Sequence, residues 1–437
     1  MSERTLVSQR RKAAFASLIG TTIEWYDFFV YGTVGALVFP QLFFPGSDPY
    51  VGLMQTLVVY AVGFVARPLG SMCFGHYGDR IGRKTALIVT LLTMGIATSL
   101  IGLLPTYERI GVWAPLVLVI LRFLQGFSAG GEWAGAVLLS VEWSVQRRRG
   151  LFGSLPQLGS PLGLVLSSSA VSAALALSGD AFLRWGWRLP FLVSIFLILV
   201  GLYSRLKVLE TPVFQQVLEQ RQVARAPVAE VFRLQPRNVL LASLLNIPPN
   251  GSFYVFNIFV LGYGSSVLGL SREPLVNATI IGGIAAALFT LLFGHLADRF
   301  GRRRAYLAGA VMLVLWAFPA FLLVHTRDPI LVSAAMVVGF AIFGMMYGPL
   351  ATFLAESFLP KVGYSGAGIA YNIGAIFGGG MSPIVANYLV KEFGTVYSVG
   401  AYLVFLAFLG IFGALGLRSS VPTAVDIVGS EQVSGTS

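Results

Sequence analysis

The sequence predicts an all-α membrane protein in which twelve transmembrane helices form two six-helix, pseudo-symmetric bundles. Three observations carry this: the composition, the spacing of the apolar stretches and an internal repeat. The 437 residues are 56% hydrophobic and 11% charged, with a mean hydropathy of +0.78, whereas a soluble domain carries about 25% charged residues. Lipid is therefore the main solvent. Fifty glycines suit helices that approach closely in lipid, where aliphatic burial gives no net drive between helices.

Apolar stretches fall near 16–41, 51–75, 85–104, 113–141, 150–178, 186–204, 238–265, 274–297, 304–324, 330–356, 363–390 and 395–417. Each supplies the ~20 residues needed to cross ~30 Å of hydrocarbon, and a span in lipid must satisfy its own backbone as a helix. Glu24 and Asp27 interrupt the first stretch and no small-residue cleavage site follows it, so it is expected to stay rather than be removed as a signal peptide. Of the 30 Lys and Arg, 22 fall in the N-terminal segment, the even-numbered loops and Arg418, 6 fall in the odd-numbered loops, and Arg67 and Arg122 lie inside spans. By the positive-inside rule both termini are expected in the cytoplasm. The formal charge of +11 is thus a topology signal, and no nucleic-acid partner is expected.

The segment Phe74-Gly-His-Tyr-Gly-Asp-Arg-Ile-Gly-Arg-Lys84 recurs as Phe293-Gly-His-Leu-Ala-Asp-Arg-Phe-Gly-Arg-Arg303, identical at seven of eleven positions and offset by 219 residues. The copies follow the second and eighth spans, so the repeat unit is six helices, and both copies face the same side, as parallel repeats require. The expected division is an N-terminal bundle over 1–204, a polar cytoplasmic linker over 205–237, a C-terminal bundle over 238–417 and a disordered cytoplasmic tail over 418–437.

This twice-occurring Gly-xxx-Asp-Arg-x-Gly-Arg-Lys/Arg loop resembles the signature of the major facilitator superfamily. More narrowly, Glu24-Trp-Tyr-Asp-Phe28, Phe64-Val-Ala-Arg-Pro-Leu-Gly70, Arg122-Phe-Leu-Gln-Gly126, Gly130-Gly-Glu-Trp133, Gly186-Trp-Arg-Leu-Pro190, Glu210-Thr-Pro212 and Tyr364-Ser-Gly-Ala-Gly368 resemble the metabolite:H+ symporter family within it, from about Arg10 to Leu417. The resemblance implies a multi-pass protein of a bacterial inner membrane that brings carboxylates, shikimate-like acids, proline or betaines into the cell with protons.

Five ionisable residues fall deep within the predicted spans: Glu24, Asp27, Arg67, Arg122 and Glu132. A charge at the bilayer centre costs roughly 2.5 to 3.5 kcal/mol, so five point to function; an ion-pair network fixing helix register is the other reading, and the two are compatible. Glu24, Asp27 and Tyr31 are spaced three and four apart, which puts them on one helical face about 12 to 17 Å into the membrane. Two neighbouring carboxylates repel when both are ionised, so one is suited to take up and release a proton. Asp27 is the expected proton-carrying acid, with Glu24 or Glu132 as second candidates. Arg122 shares a face with Gln125, and the resemblance implies a role for this Arg-xx-Gln-Gly element in proton coupling or anion binding. A guanidinium fork matches a carboxylate, so Arg122, like Arg67, is a substrate candidate; pairing of Arg122 with Glu132 or Asp27 is the open alternative.

The predicted C-terminal spans carry no deep charge. They offer Asn246, Asn250, Tyr254, Asn257, Tyr347, Tyr371 and Asn372, polar groups suited to a small solute or to ordinary contacts between helices. Asn250, Tyr254 and Asn257 recur at four and three, on one face. An N-half for coupling and a C-half for selectivity is the division expected.

For the cytoplasmic gate, the resemblance implies contacts built on Gly75, Asp79, Arg80 and Arg83 in one loop and on Asp298, Arg299 and Arg302 in the other. Asp79 would meet the eleventh span near Tyr364 and Ser365, and Arg83 would pair with Glu142. Asp298 would meet the fifth span near Gly150, and Arg302 would pair with Glu356. His76 and His295 hold equivalent repeat positions and are read as structural. Gly363 stands where the family usually has an Arg, which removes one cytoplasmic contact. The stretch after Leu417 has no heptads, so the osmosensing of the betaine and proline branch is not expected.

Cys73 lies in an apolar run and reads as a packed residue. With one cysteine and three histidines no disulfide framework or metal cluster is expected, and no nucleophile with its base is in sight for an enzyme. The expected function is proton-coupled symport of a small organic acid or related metabolite by alternating access, with an exporter or an uncoupled facilitator as alternative. The partners expected are the substrate, protons and the bilayer; the proton gradient supplies the energy, no cofactor is expected, and the chain is expected to be a monomer.

Overall fold

The computed structural model describes residues 3–81, 83–133, 149–206, 227–358 and 363–417. Twelve helical spans follow one another: α1 (Glu3–Phe43), α2 (Pro49–Ile81), α3 (Arg83–Leu103), α4 (Trp113–Gly130), α5 (Arg149–Gln157 continued by Gly159–Ser178), α6 (Leu189–Leu206), α7 (Pro236–Tyr254, a π turn Val255–Phe259, then Val260–Ser266), α8 (Arg272–Phe300), α9 (Arg302–His325), α10 (Pro329–Glu356), α11 (Gly363–Ala375, a π turn Ile376–Gly380, then Ser382–Phe393) and α12 (Tyr397–Gly416). Ten helices among the described residues are long and apolar enough to cross a membrane. The other two are α3, whose apolar part Ile88–Leu103 is shorter, and α1, which carries Glu24 and Asp27. The predicted fourth span ran to 141; its helix is described to Gly130, and 134–148 lie outside the described residues. Within the predicted linker, Pro227–Leu234 is helical and packs against α7 and the start of α11.

Which helices line the centre follows from composition. In α7, rich in Asn, Pro and Gly, 89% of the apolar window is buried, against 33% in the aliphatic α6; α7 is thus a central helix and α6 a lipid-facing one. The Pro248–Pro249 pair lies inside α7 and the π turn follows within two turns. Proline removes backbone donors, and a widened turn re-satisfies the ladder at the cost of one residue of register.

Within the N-terminal half, α2 and α4 approach at van der Waals range of their backbones. A Cβ on Gly126 would stand 1.8 Å from the Gly63 carbonyl oxygen, and one on Gly130 would stand 1.9 Å from that of Arg67. Only glycine permits this approach, which brings the arginines of the two helices into one layer.

Among the described residues, the contacts between the halves include the pairs α5–α8, α1–α7 and α2–α11. Along α5–α8, Thr279 donates to Ser168 at 2.7 Å and Ser172 to Asn277 at 3.2 Å. Along α1–α7, the Phe29 and Phe253 rings lie 5.1 Å apart. Along α2–α11, Phe64 packs on Gly379 and Gly380, and Asn387 donates to the Tyr50 carbonyl at 3.4 Å.

Candidate transport site

Glu24, Asp27, Arg67, Arg122 and Glu132 are the buried charged side chains among the described residues, each at most 3% exposed. All belong to the N-terminal half and none faces lipid. Arg67 approaches Glu24 at 4.0 Å, and its guanidinium carbon lies 4.9 Å from the Trp25 ring centroid and 5.0 Å from that of Phe28. Arg122 lies 3.9 Å from the Phe28 centroid, 4.5 Å from Tyr31 and 4.3 Å from Tyr60. Phe28 therefore serves both cations, and ring quadrupoles partly replace the water each has lost.

Arg122 donates to the Tyr60 carbonyl at 3.3 Å and to Gln125 Oε1 at 3.0 Å, so its hydrogen-bond partners are neutral and it pairs with neither Glu132 nor Asp27 here. Gln125 Nε2 in turn donates to Thr98 at 2.7 Å and to the Asp27 main-chain carbonyl at 3.3 Å. The Asp27 carboxylate accepts from the Ser194 hydroxyl of α6. The expected common face of Glu24, Asp27 and Tyr31 is thus divided: Glu24 goes to Arg67, Tyr31 to Arg122 and Asp27 inward to α6. Residues three apart differ by about 60° around a helix, which in this packing separates neighbours. Glu132 is buried beside Trp133 at the end of α4.

Several buried polar atoms have no hydrogen-bond partner: Arg67 Nε and Nη1, Arg122 Nη2, the Tyr31 hydroxyl and both amide atoms of Asn257. Leaving such groups unmade costs about 1–3 kcal/mol each, more when charged.

The C-terminal half contributes uncharged groups. Tyr254 sits 5.9 Å from Tyr60 and 5.2 Å from Phe64, centroid to centroid, opposite the arginine layer. Asn250 donates to Asn246 Oδ1 at 2.8 Å, Asn246 to the Tyr371 carbonyl at 2.6 Å, and the Tyr347 and Tyr371 hydroxyls meet at 3.1 Å. Asn372 is buried. Asn257 falls inside the π turn, so the straight-helix spacing that grouped it with Asn250 and Tyr254 does not hold.

Sequence reasoning passed over Trp133, which stacks on Tyr371 at 3.9 Å and 8° across the two halves and donates to Gln157 at 3.1 Å. It also passed over Tyr60, Thr98 and Ser194. Trp133 adjoins Glu132, a signal that could have found it; the other three look like ordinary span residues.

At the end carrying the repeated loops, Asp298 accepts from the Gly150 amide at 2.8 Å and the Leu151 amide at 3.1 Å, the first turn of α5 in the opposite half. Arg302 lies 2.9 Å from Glu356 and 3.7 Å from Asp298. An anion on free helix N–H groups is favoured by hydrogen bonding and by the helix dipole together. Arg299 and His295 are exposed. Glu142 lies outside the described residues, as do the contacts expected of Gly75, Asp79, Arg80, Arg83, His76, Tyr364 and Ser365.

Two six-helix halves closing on a layer of buried arginines and acids, with a carboxylate held by the first turn of a helix of the opposite half, are the architecture of a membrane transporter. The chain belongs to the Major Facilitator Superfamily, which residues 17–379 match. It is 38% identical to the inner membrane metabolite transport protein YhjE of Escherichia coli K12, over 94% of this chain and 95% of that one. It is also 38% identical to the shikimate transporter of the same organism, over 95% and 96%, and 34% identical to its proline/betaine transporter, over 97% and 88%. In fold it is similar to a crystal structure of a D-xylose-proton symporter, with a TM-score of 0.70 at 20% identity over 94% of this chain and 98% of that one.

Proposed function

We propose that the chain carries a small organic acid into the cell together with protons, by alternating access, drawing on the proton gradient and no cofactor. The observation that carries this is Arg122: fully buried, bonded to neutral groups and left with its Nη2 unpartnered. A substrate carboxylate would accept a charge-assisted hydrogen bond from that nitrogen. The likeness to a shikimate transporter over nearly the whole chain supports a carboxylate-bearing substrate. Tyr31, Arg67, Gln125, Asn250, Tyr254, Asn257, Tyr347, Tyr371 and Asn372 complete the substrate layer.

Asp27 carries the proton in this reading. It is buried without a cationic partner, and Gln125 links its main chain to Arg122, so substrate binding at the arginine bears on the acid's surroundings. Glu24 and Glu132 are the other buried acids, and Glu24 is held by Arg67. Asp298, Arg302 and Glu356 latch one end, with Asp79, Arg83 and Glu142 as the counterpart latch. Both termini lie in the cytoplasm, and the monomer is the working unit.

Counterflow in proteoliposomes with a panel of organic acids, shikimate, proline and betaine tests the substrate class. Uptake with and without an imposed proton gradient then separates symport from uncoupled facilitation or export. Accumulation of a carboxylate only when the lumen is alkaline is expected; equal uptake without a gradient would overturn the coupling.

A further inference from the structure

Away from the transport layer, a crevice of about 600 Å³ opens between α2, α4 and α11, at the end opposite the repeated loops. Its walls come from both halves. It runs from Tyr50 to Val59 along α2, about 14 Å at 1.5 Å per residue, close to the roughly 15 Å of hydrocarbon in one leaflet. The chemistry is graded along that length. Val58, Val59 and Val119 line the deep part, whereas Asn387, Lys391 and Glu392 gather near the mouth. Val58 is 50% exposed and Leu116 48%, as walls open to lipid tails would be. Asn387 is 1% exposed and its Oδ1 has no hydrogen-bond partner, while its Nδ2 holds the Tyr50 carbonyl across the seam.

We propose that this crevice binds one glycerophospholipid with a zwitterionic, primary-ammonium headgroup. The phosphate sits at Lys391, the ammonium donates to Glu392 and to Asn387 Oδ1, and one acyl chain fills the apolar part. Adjacent opposite charges match a zwitterion and disfavour a net anion, and an orphaned acceptor calls for an N–H donor, which a trimethylammonium lacks. Because the seat spans α2 and α11 over the Asn387–Tyr50 contact, an occupant clamps the two halves together at this end.

Native mass spectrometry of the full-length protein, with phosphatidylethanolamine, phosphatidylcholine or phosphatidylglycerol of identical chains, tests this. The expected result is a single ethanolamine-lipid adduct retained at least fivefold over the other two. That preference should vanish in a Lys391→Ala/Glu392→Gln variant and weaken in Lys391→Ala alone. Both positions are exposed, so folding is not at stake. Equal retention of the three lipids, a preference for the anionic or choline headgroup, or an ethanolamine preference that survives the double substitution would overturn the assignment.

Discussion

A guanidinium taken out of water without a carboxylate beside it carries a desolvation penalty of several kcal/mol, and Arg122 is held in that condition by three aromatic rings, a carbonyl and one amide. Lysine reproduces its charge but not its planar fork. Arg122→Lys is therefore expected to lower counterflow at least tenfold with little change in folded yield, checked by exchange assay and size-exclusion profile. Arg67 differs, because its guanidinium stands 4.0 Å from the buried Glu24 carboxylate. Arg67→Ala is expected to destabilise by about 3–5 kcal/mol, and a second change, Glu24→Ala, to recover much of that loss; thermal unfolding of both variants measures it. The five buried charges were legible as residues, since ionisable groups in apolar runs stand out. Their partners were not. Ser194, Thr98 and Tyr60 meet Asp27, Gln125 and Arg122 only because of how α1, α2, α3, α4 and α6 are rotated against one another, and no single-helix pattern records that rotation.

Element boundaries show the same division. Hydropathy placed the twelve spans closely, because each must cover the hydrocarbon thickness with its own hydrogen bonds. The π turns in α7 and α11 escaped, although Pro248–Pro249 preceded the first and Gly378–Gly380 lay inside the second; prolines and glycines mark a disturbed ladder without saying which form it takes. The glycines of α2 and α4 gave a compositional hint of close packing, and their register came from the structure. Gly126→Ala places a methyl 1.8 Å from the Gly63 carbonyl oxygen, whereas Gly46→Ala meets nothing within 4 Å. Overpacking typically costs about 1–3 kcal/mol, so Gly126→Ala is expected to lower the melting temperature by several degrees and Gly46→Ala to leave it unchanged, as read by a thermal-shift assay on the purified protein.

At the scale of the whole molecule, the proposed alternating access needs two halves that rock about a buried layer, and the Asp298 contact with the first turn of α5 bears on that equilibrium. An anion at a helix N-terminus contributes up to ~2 kcal/mol when partly buried, and about 1.4 kcal/mol is a tenfold shift in population. Asp298→Ala is expected to open the end bearing the repeated loops severalfold more often, measured as a longer distance between spin labels on the loops of the two halves. The repeat itself was legible from sequence, and so was the asymmetry of charge between the halves. The Trp133–Tyr371 stack joining them was not, since it forms between residues 238 positions apart.

The account rests on a substrate anion and a proton crossing together, coupled by the charged half. Its most direct test records lumenal pH in proteoliposomes while a fully ionised, membrane-impermeant carboxylate substrate is added outside. Wild-type protein should acidify the lumen as the carboxylate enters, and Asp27→Asn should exchange the carboxylate without moving protons. Entry of the carboxylate with no lumenal acidification, or unaltered acidification by Asp27→Asn, would contradict it.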